Sequence, residues 1–257
     1  SSLTTDKITS LSPSQLDLAG WEAADLPHTW NAYDGSDGIK GYDRIKGWYR
    51  KNIYIAPQYE GKRIYLEFEG AALKTSLYVN GTAVPFASDD PYNMQEDITY
   101  THRGGYEIFR FDITDYVCYD SMNLIAVCVD NTATIETIPL GGDYSKEGGL
   151  YRDVSLVVTE PVHIDMTDHG SNGLYLTPEK KTAVTDNTNT DFNLTVAAKI
   201  VNDSEQEQNI KVEAFLRKPD SFDVPDNKYI KEHLQFNPED MYTPGGELVK
   251  TFTAVEE

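Results

Sequence analysis

One acid in this sequence stands where a loop turns into a strand. Asp153 closes the run Gly148-Gly149-Leu150-Tyr151-Arg152-Asp153, behind an earlier glycine pair at Gly141-Gly142. Glycine takes positive φ at little steric cost, so paired glycines favour a tightly turning loop. Beyond it Val154, Leu156 and Val158 alternate with Ser155, Val157 and Thr159, a period of two that predicts a half-buried strand. Asp153 therefore falls on the face opposite Val154, Leu156 and Val158, directed away from the core. There its carboxylate can accept hydrogen bonds from a ligand, or serve as a turn acid paired with Arg152. Residue chemistry alone leaves both readings open.

Other reactive residues give less. Asp34, Asp37 and Asp43 lie in a glycine-rich stretch, 33–43. Their spacing misses the EF-hand pattern and its closing Glu, so a solvated loop without metal is the expectation. His28 follows Pro27 between Trp21 and Trp30 and reads as a packed, hydrogen-bonded structural residue. Cys118 and Cys128 are the two cysteines. They make no disulfide framework and match no zinc spacing, and Cys128, between Val127 and Val129, reads as a strand thiol. No P-loop, dinucleotide fingerprint, Ser/His/Asp spacing or internal repeat occurs, and no cofactor is called for.

The chain has 257 residues, 42 acidic against 22 basic, for a net charge of −20. Such a surface repels phosphate backbones and anionic membranes, which argues against nucleic acid and membrane partners and leaves neutral sugars compatible. With 17 Tyr, 9 Phe and 3 Trp, the aromatic content is far above that of a disordered chain. No apolar run approaches the roughly 18 residues of a membrane span.

The elements that must carry Asp153 are strands. In 48–56, Tyr49, Ile53 and Ile55 share a face, and in 63–69 Ile64, Leu66 and Phe68 do. Stretch 73–84 contains Asn80-Gly81, a strong type I′ hairpin signal. Strands are also expected at 107–114 and 123–130. Residues 85–103 read as a polar surface loop, and 12–18 as a short helical turn after Pro13. Glu160-Pro161 marks a boundary between two domains, 1–160 and 161–257. In the second, 162–165, 174–176 and 247–255 read as extended pieces. Stretches 192–200 and 210–216 are expected to pair across the polar turn 202–208, and one helical turn is expected near 227–234. Many short alternating strands predict an all-β protein built of sandwiches.

Gly148-Gly149-Leu150-Tyr151-Arg152-Asp153-Val154 resembles the signature that closes the N-terminal sugar-binding domain of glycoside hydrolase family 2. Seven further stretches match that family in order. They are Leu26-Pro27-His28-Thr29-Trp30, Gly47-Trp48-Tyr49-Arg50-Lys51, Phe68-Glu69-Gly70, Tyr78-Val79-Asn80-Gly81, Gly104-Gly105-Tyr106, Phe111-Asp112-Ile113-Thr114 and Asn123-Leu124-Ile125-Ala126-Val127.

The resemblance implies a jelly-roll, galactose-binding-domain-like β-sandwich over 1–160, then an immunoglobulin-like β-sandwich over 161–257 that stops short of its last strands. It implies a retaining exo-glycosidase, with the β-galactosidase class favoured by the Asp after Arg152. In that family two glutamates of a β/α barrel carry out the hydrolysis. No βα repeat occurs in 1–257, so no catalytic residue is expected in this chain, which should be inactive alone. Asp153 is the position implied to meet the sugar, with Asp43 and Arg44 bordering the same subsite, and Arg50 and Arg152 holding loop carbonyls. The implied partners are a carbohydrate substrate and the barrel of the same polypeptide, with room for an oligomer of the full-length protein, and the implied location is periplasmic or extracellular. A free-standing carbohydrate-binding module is the alternative.

Overall fold

The structure is a computed structural model describing residues 5–10, 21–39, 41–86, 100–132, 147–168, 170–180, 192–217 and 248–253. Apart from one six-residue helix, α1 (Thr5–Ser10), and short 3-10 turns, its regular elements are strands. The turn expected at 12–18, most of the segment 85–103, and the helical turn near 227–234 lie outside the described residues.

Eight strands form two antiparallel sheets. One sheet contains β1 (Lys46–Ile55), β3 (Lys74–Val79), β4 (Thr82–Val84), β5 (His102–Arg103) and β7 (Ser121–Asp130), in the order β1-β7-β3-β4, with β5 sharing the β4 side of β3. The other runs β6 (Phe109–Asp112), β2 (Arg63–Phe68), β8 (Val154–Thr159). The inner faces meet in one apolar core. Ile55, Ile64, Leu66, Phe68, Leu77, Val79, Phe109, Phe111, Ile125, Val127 and Val129 are buried there, with Tyr49, Ile53, Val154 and Val158 packed against them. Most of these are residues the period-two pattern assigns to the core face, but Leu156 on β8, assigned to that face with Val154 and Val158, is exposed. Phe68 stacks on Phe109 at 4.8 Å between ring centroids. Fully burying a side chain of this size is worth roughly 1.5–3 kcal/mol. The result is a jelly-roll β-sandwich.

The Asn80-Gly81 hairpin forms as expected, with φ of 51° and 87° at its two corners. The ends of segment 85–103 depart from the polar-loop expectation. Phe86 packs against the core and His102 is buried in β5, paired with Thr75. Both residues are aromatic and follow a strand end or begin a strand, so sheet and core claim them.

Along β2 the residues between the core positions are covered too. Tyr65 is buried, its hydroxyl 2.9 Å from His163 Nε2 on β9 (Val162–Ile164). Arg110 on β6 bonds Glu67 at 2.5 Å and the carbonyls of Met166 and Ser171 at 3.0 and 2.8 Å. Arg63 pairs with Asp112 and with Asp203. Charged side chains on the outer face of this sheet thus anchor the chain that follows it.

The remaining strands are β10 (Leu174–Lys180), β11 (Phe192–Ala198), β12 (Ile200–Asn202), β13 (Glu213–Arg217) and β14 (Leu248–Thr253). They pair β9 with β12, β10 with β11 and β13 with β14. The hairpin expected between 192–200 and 210–216 is not formed. Residue Lys199 interrupts the first stretch, which gives one part to β10 and the other to β9, while the second stretch pairs with β14. Alternation fixes which side chains share a face, and long-range pairing fixes the partner. By compactness the chain divides into Ser1–Leu176 with Ala197–Glu205, and Thr177–Val196 with Gln206–Glu257.

Candidate functional site

The glycine pair at 148–149 is required by its neighbours. A Cβ on Gly148 would overlap the Trp30 indole and the Asn131 amide, and one on Gly149 the Tyr49 hydroxyl. Gly47 faces the same indole, with its Cβ position 2.6 Å from Trp30 Cζ3. Trp30 is thus seated between backbones from two places in the chain, Gly47 and the pair Gly148-Gly149. Tyr49 Oη lies 2.7 Å from His28 Nδ1 and accepts the Leu150 amide at 3.3 Å, and the His28 amide donates to Leu150 O at 2.7 Å. His28 is the packed structural residue expected. Burial raises the Tyr49 hydroxyl above its ordinary range.

Beside it two buried amides hold the loop that carries Asp43 and Arg44. Asn131 donates to Asn31 Oδ1 at 3.1 Å and Asp43 O at 3.0 Å, and accepts the Ile45 amide at 2.8 Å. Asn31 donates to Asp34 Oδ2 at 2.6 Å and Asp43 O at 2.8 Å, and accepts the Gly148 amide at 2.6 Å. Both side chains use donor and acceptor fully, as burial of an amide demands. Asp34 Oδ2 also accepts the Asp43 amide at 3.0 Å, and Asp37 Oδ1 the Ile39 amide at 2.9 Å. Two of the three acids of this loop therefore cap its backbone. The Asp43 backbone is fixed while its carboxylate is exposed. Arg44 is half-buried, and its Nη1 is buried without a hydrogen-bond partner, as is the indole nitrogen of Trp30.

Asp153 immediately precedes β8 and lies next to Glu69, whose amide donates to Asp153 O at 3.0 Å. The side chains just before it are tied elsewhere. Tyr151 donates its hydroxyl proton to Gly105 O, and Arg152 Nη1 donates to Glu69 O at 3.3 Å and Tyr106 O at 3.4 Å. Gly70 leaves room for them, its Cβ position 2.8 Å from the Tyr151 hydroxyl oxygen. Arg152 thus holds loop carbonyls rather than neutralising Asp153, whose carboxylate is exposed. No hydrogen bond or ion pair joins Asp153 to Asp43 or Arg44; they are linked through the Gly148 amide and the Asn31–Asn131 network. For Arg50 burial lowers the proton affinity of the guanidinium.

Sequence reasoning missed three side chains that build this corner: Asn31, Asn131 and His102. Asn31 follows directly on the Trp30 motif and Asn131 on β7, so adjacency to those elements was the available signal. His102 lies with Nε2 3.3 Å from Glu107 Oε1, and its ring stacks on Phe109 at 3.6 Å. The His102 hydrogen bond holds the Glu107 carboxyl down at about 2.

No protein-family model matches the chain. A β-glucuronidase of Bacteroides fragilis is 38% identical over 155 residues, 60% of this chain and 20% of that protein. A β-galactosidase of Thermoanaerobacter pseudethanolicus is 34% identical over 151 residues, 58% of this chain and 18% of its own length. Among solved structures, Bacteroides uniformis β-glucuronidase 2 covalently bound to cyclophellitol-6-carboxylate aziridine aligns with a TM-score of 0.68 and 27% identity, over 96% of this chain and 23% of that one. The β-sandwich fold is shared with that glycosidase structure. Over about three fifths of its length the chain is thus similar to glycosidases named β-glucuronidase and β-galactosidase. It spans about a fifth of the length of the curated relatives it matches.

Proposed function

We propose that this chain is the non-catalytic N-terminal portion of a retaining exo-glycosidase acting on β-galactosides, in which Asp153, with Asp43 and Arg44, shapes the sugar subsite. One observation carries the reading. Asp153 has its backbone clamped to Glu69 while its carboxylate stays exposed and free of Arg152. A fixed, unneutralised acceptor suits a sugar hydroxyl. The hydrolytic carboxylates belong to a separate barrel of the same polypeptide, and residues 161–257 are assigned to an immunoglobulin-like domain that follows the sugar-binding one.

A second reading, a β-glucuronide substrate, is favoured by Arg44, whose Nη1 is a buried donor without a partner and suits a sugar carboxylate. Relatives of both names match the chain. Steady-state hydrolysis of nitrophenyl β-galactoside and β-glucuronide by the full-length protein, beside its Asp153→Asn and Arg44→Ala variants, tests both. A galactoside preference that depends on Asp153 supports the first reading. A glucuronide preference lost with Arg44 replaces it by the second. Hydrolysis of neither substrate, or turnover by residues 1–257 alone, overturns the assignment.

A further inference from the structure

Behind the Asp153 corner lies a polar pair that the fold does not need for its core. His102 is an imidazole almost wholly removed from solvent, between Phe109 at 3.6 Å and Phe86 at 4.9 Å between ring centroids. An apolar ring would fill that slot without the cost of burying two nitrogens. Nδ1 is buried without a hydrogen-bond partner, and Nε2 faces the Glu107 carboxylate. The other oxygen of Glu107 accepts the Tyr106 amide at 3.2 Å. Its carboxylate also fills the space where a side chain on Gly104 would stand, while the Gly104 amide donates to Leu73 O at 2.9 Å. Glu107 therefore ties the loop 104–106 to a buried ring on β5.

That loop supplies the carbonyls on which the Asp153 strand entry is hung. Gly105 O accepts the Tyr151 hydroxyl, and Tyr106 O accepts Arg152. The contacts run without a break from His102 through Glu107 and loop 104–106 to Tyr151 and Arg152, and so to Asp153.

We propose that His102 and Glu107 are positioning residues, which fix the Asp153 carboxylate against the sugar by clamping loop 104–106. This rests on the reading of Asp153 as a sugar-binding residue. Neither member touches substrate; their effect passes entirely through Asp153. The clamp acts through the two acceptor oxygens of Glu107, one facing His102 Nε2 at 3.3 Å and the other the Tyr106 amide at 3.2 Å, so the acceptor atoms matter more than bulk or charge. Misplacing a substrate contact by a fraction of an ångström raises the barrier without unfolding the protein.

The test is a double-mutant cycle on the full-length enzyme, with kcat and KM measured well below each variant's melting temperature. Glu107→Ala is expected to lower kcat/KM about tenfold, and Glu107→Gln, which keeps an acceptor for the Tyr106 amide, to recover most of that loss. His102→Gln provides a second, independent break in the clamp with the same expected direction. In the Asp153→Asn background both Glu107→Ala and His102→Gln should have almost no further effect, because the residue they position is already disabled. A merely structural role would instead give losses that multiply with Asp153→Asn, and that outcome overturns the proposal. So does an unchanged kcat/KM for Glu107→Ala beside an impaired Asp153→Asn, which leaves the role of Asp153 standing. Unchanged kinetics for Asp153→Asn overturn the role of Asp153 and this inference with it.

Discussion

The six-membered edge of the Trp30 indole occupies the space that a side chain on Gly148 would need. The motif glycine therefore serves packing, with Asn131 closing the same space from another side. Gly148→Ala should cost roughly 2–4 kcal/mol in urea unfolding, because a rigid ring and a fully bonded amide cannot both withdraw. Gly61→Ala is the control. It has φ of +82° but nothing within 4 Å, so it should cost only about 1 kcal/mol. A Gly148→Ala loss no larger than that of Gly61→Ala would show that the indole and amide can withdraw.

Asn131 is fully buried and donates to two acceptors. Asn131→Asp turns those two contacts into oxygen facing oxygen, at a cost of roughly 3–5 kcal/mol near neutral pH. Asn131→Ala removes the repulsion and should cost less, about 2–3 kcal/mol. The introduced carboxyl can donate once protonated, so the gap between the variants should narrow as pH falls. Chemical unfolding of both variants at pH 7 and pH 4 gives the comparison, and a wider gap at pH 4 would refute the network.

Glu107 has a folded value of about 2 against an ordinary 4.5, set first by the His102 hydrogen bond. A depressed carboxyl contributes stability that is fully present above its unfolded value and is lost as pH falls through the folded one. The contribution should therefore fade between about pH 4.5 and pH 2. Glu107→Gln should flatten that limb of the melting-temperature profile and leave a smaller difference from wild type at pH 2 than at pH 6. Parallel profiles would show that the pair does not couple to folding.

Cys118 is exposed and Cys128 buried, with the Cys128 thiol pushed up to about 11 by burial. The thiolate is the nucleophile, so iodoacetamide at pH 8 should alkylate Cys118 in the native protein and spare Cys128 until denaturant is added. Peptide mass spectrometry reads this directly, and equal labelling would contradict the packing of β7.

In the full-length enzyme Asp153→Asn should lower kcat/KM by about thirty- to a thousand-fold, on the order of 2–4 kcal/mol of transition-state binding. Its melting temperature should barely move, since its side chain makes no hydrogen bond or ion pair among the described residues. Near wild-type kinetics would return Asp153 to a surface acid.

Much of the sandwich was legible in the chain because a strand's inner face is written in alternation. Ile64, Leu66 and Phe68, or Ile125, Val127 and Val129, declare their face without reference to any partner. Asn80-Gly81 likewise announced its turn, because positive φ at both corners is a property of those residues alone. Partner choice was decided only in three dimensions. The stretch 192–200 carries one alternating pattern yet divides between β10 and β9, since pairing depends on which edges lie free nearby. The same holds for the site. The position of Asp153 at a loop-to-strand junction could be read from the sequence, but its freedom from Arg152 could not. That freedom arises because Glu69 O and Tyr106 O claim the guanidinium, and those groups lie 83 and 46 residues away along the chain. Polar contacts between distant residues leave no periodic trace, so the Asn31–Asn131 network arose only once the chain had folded.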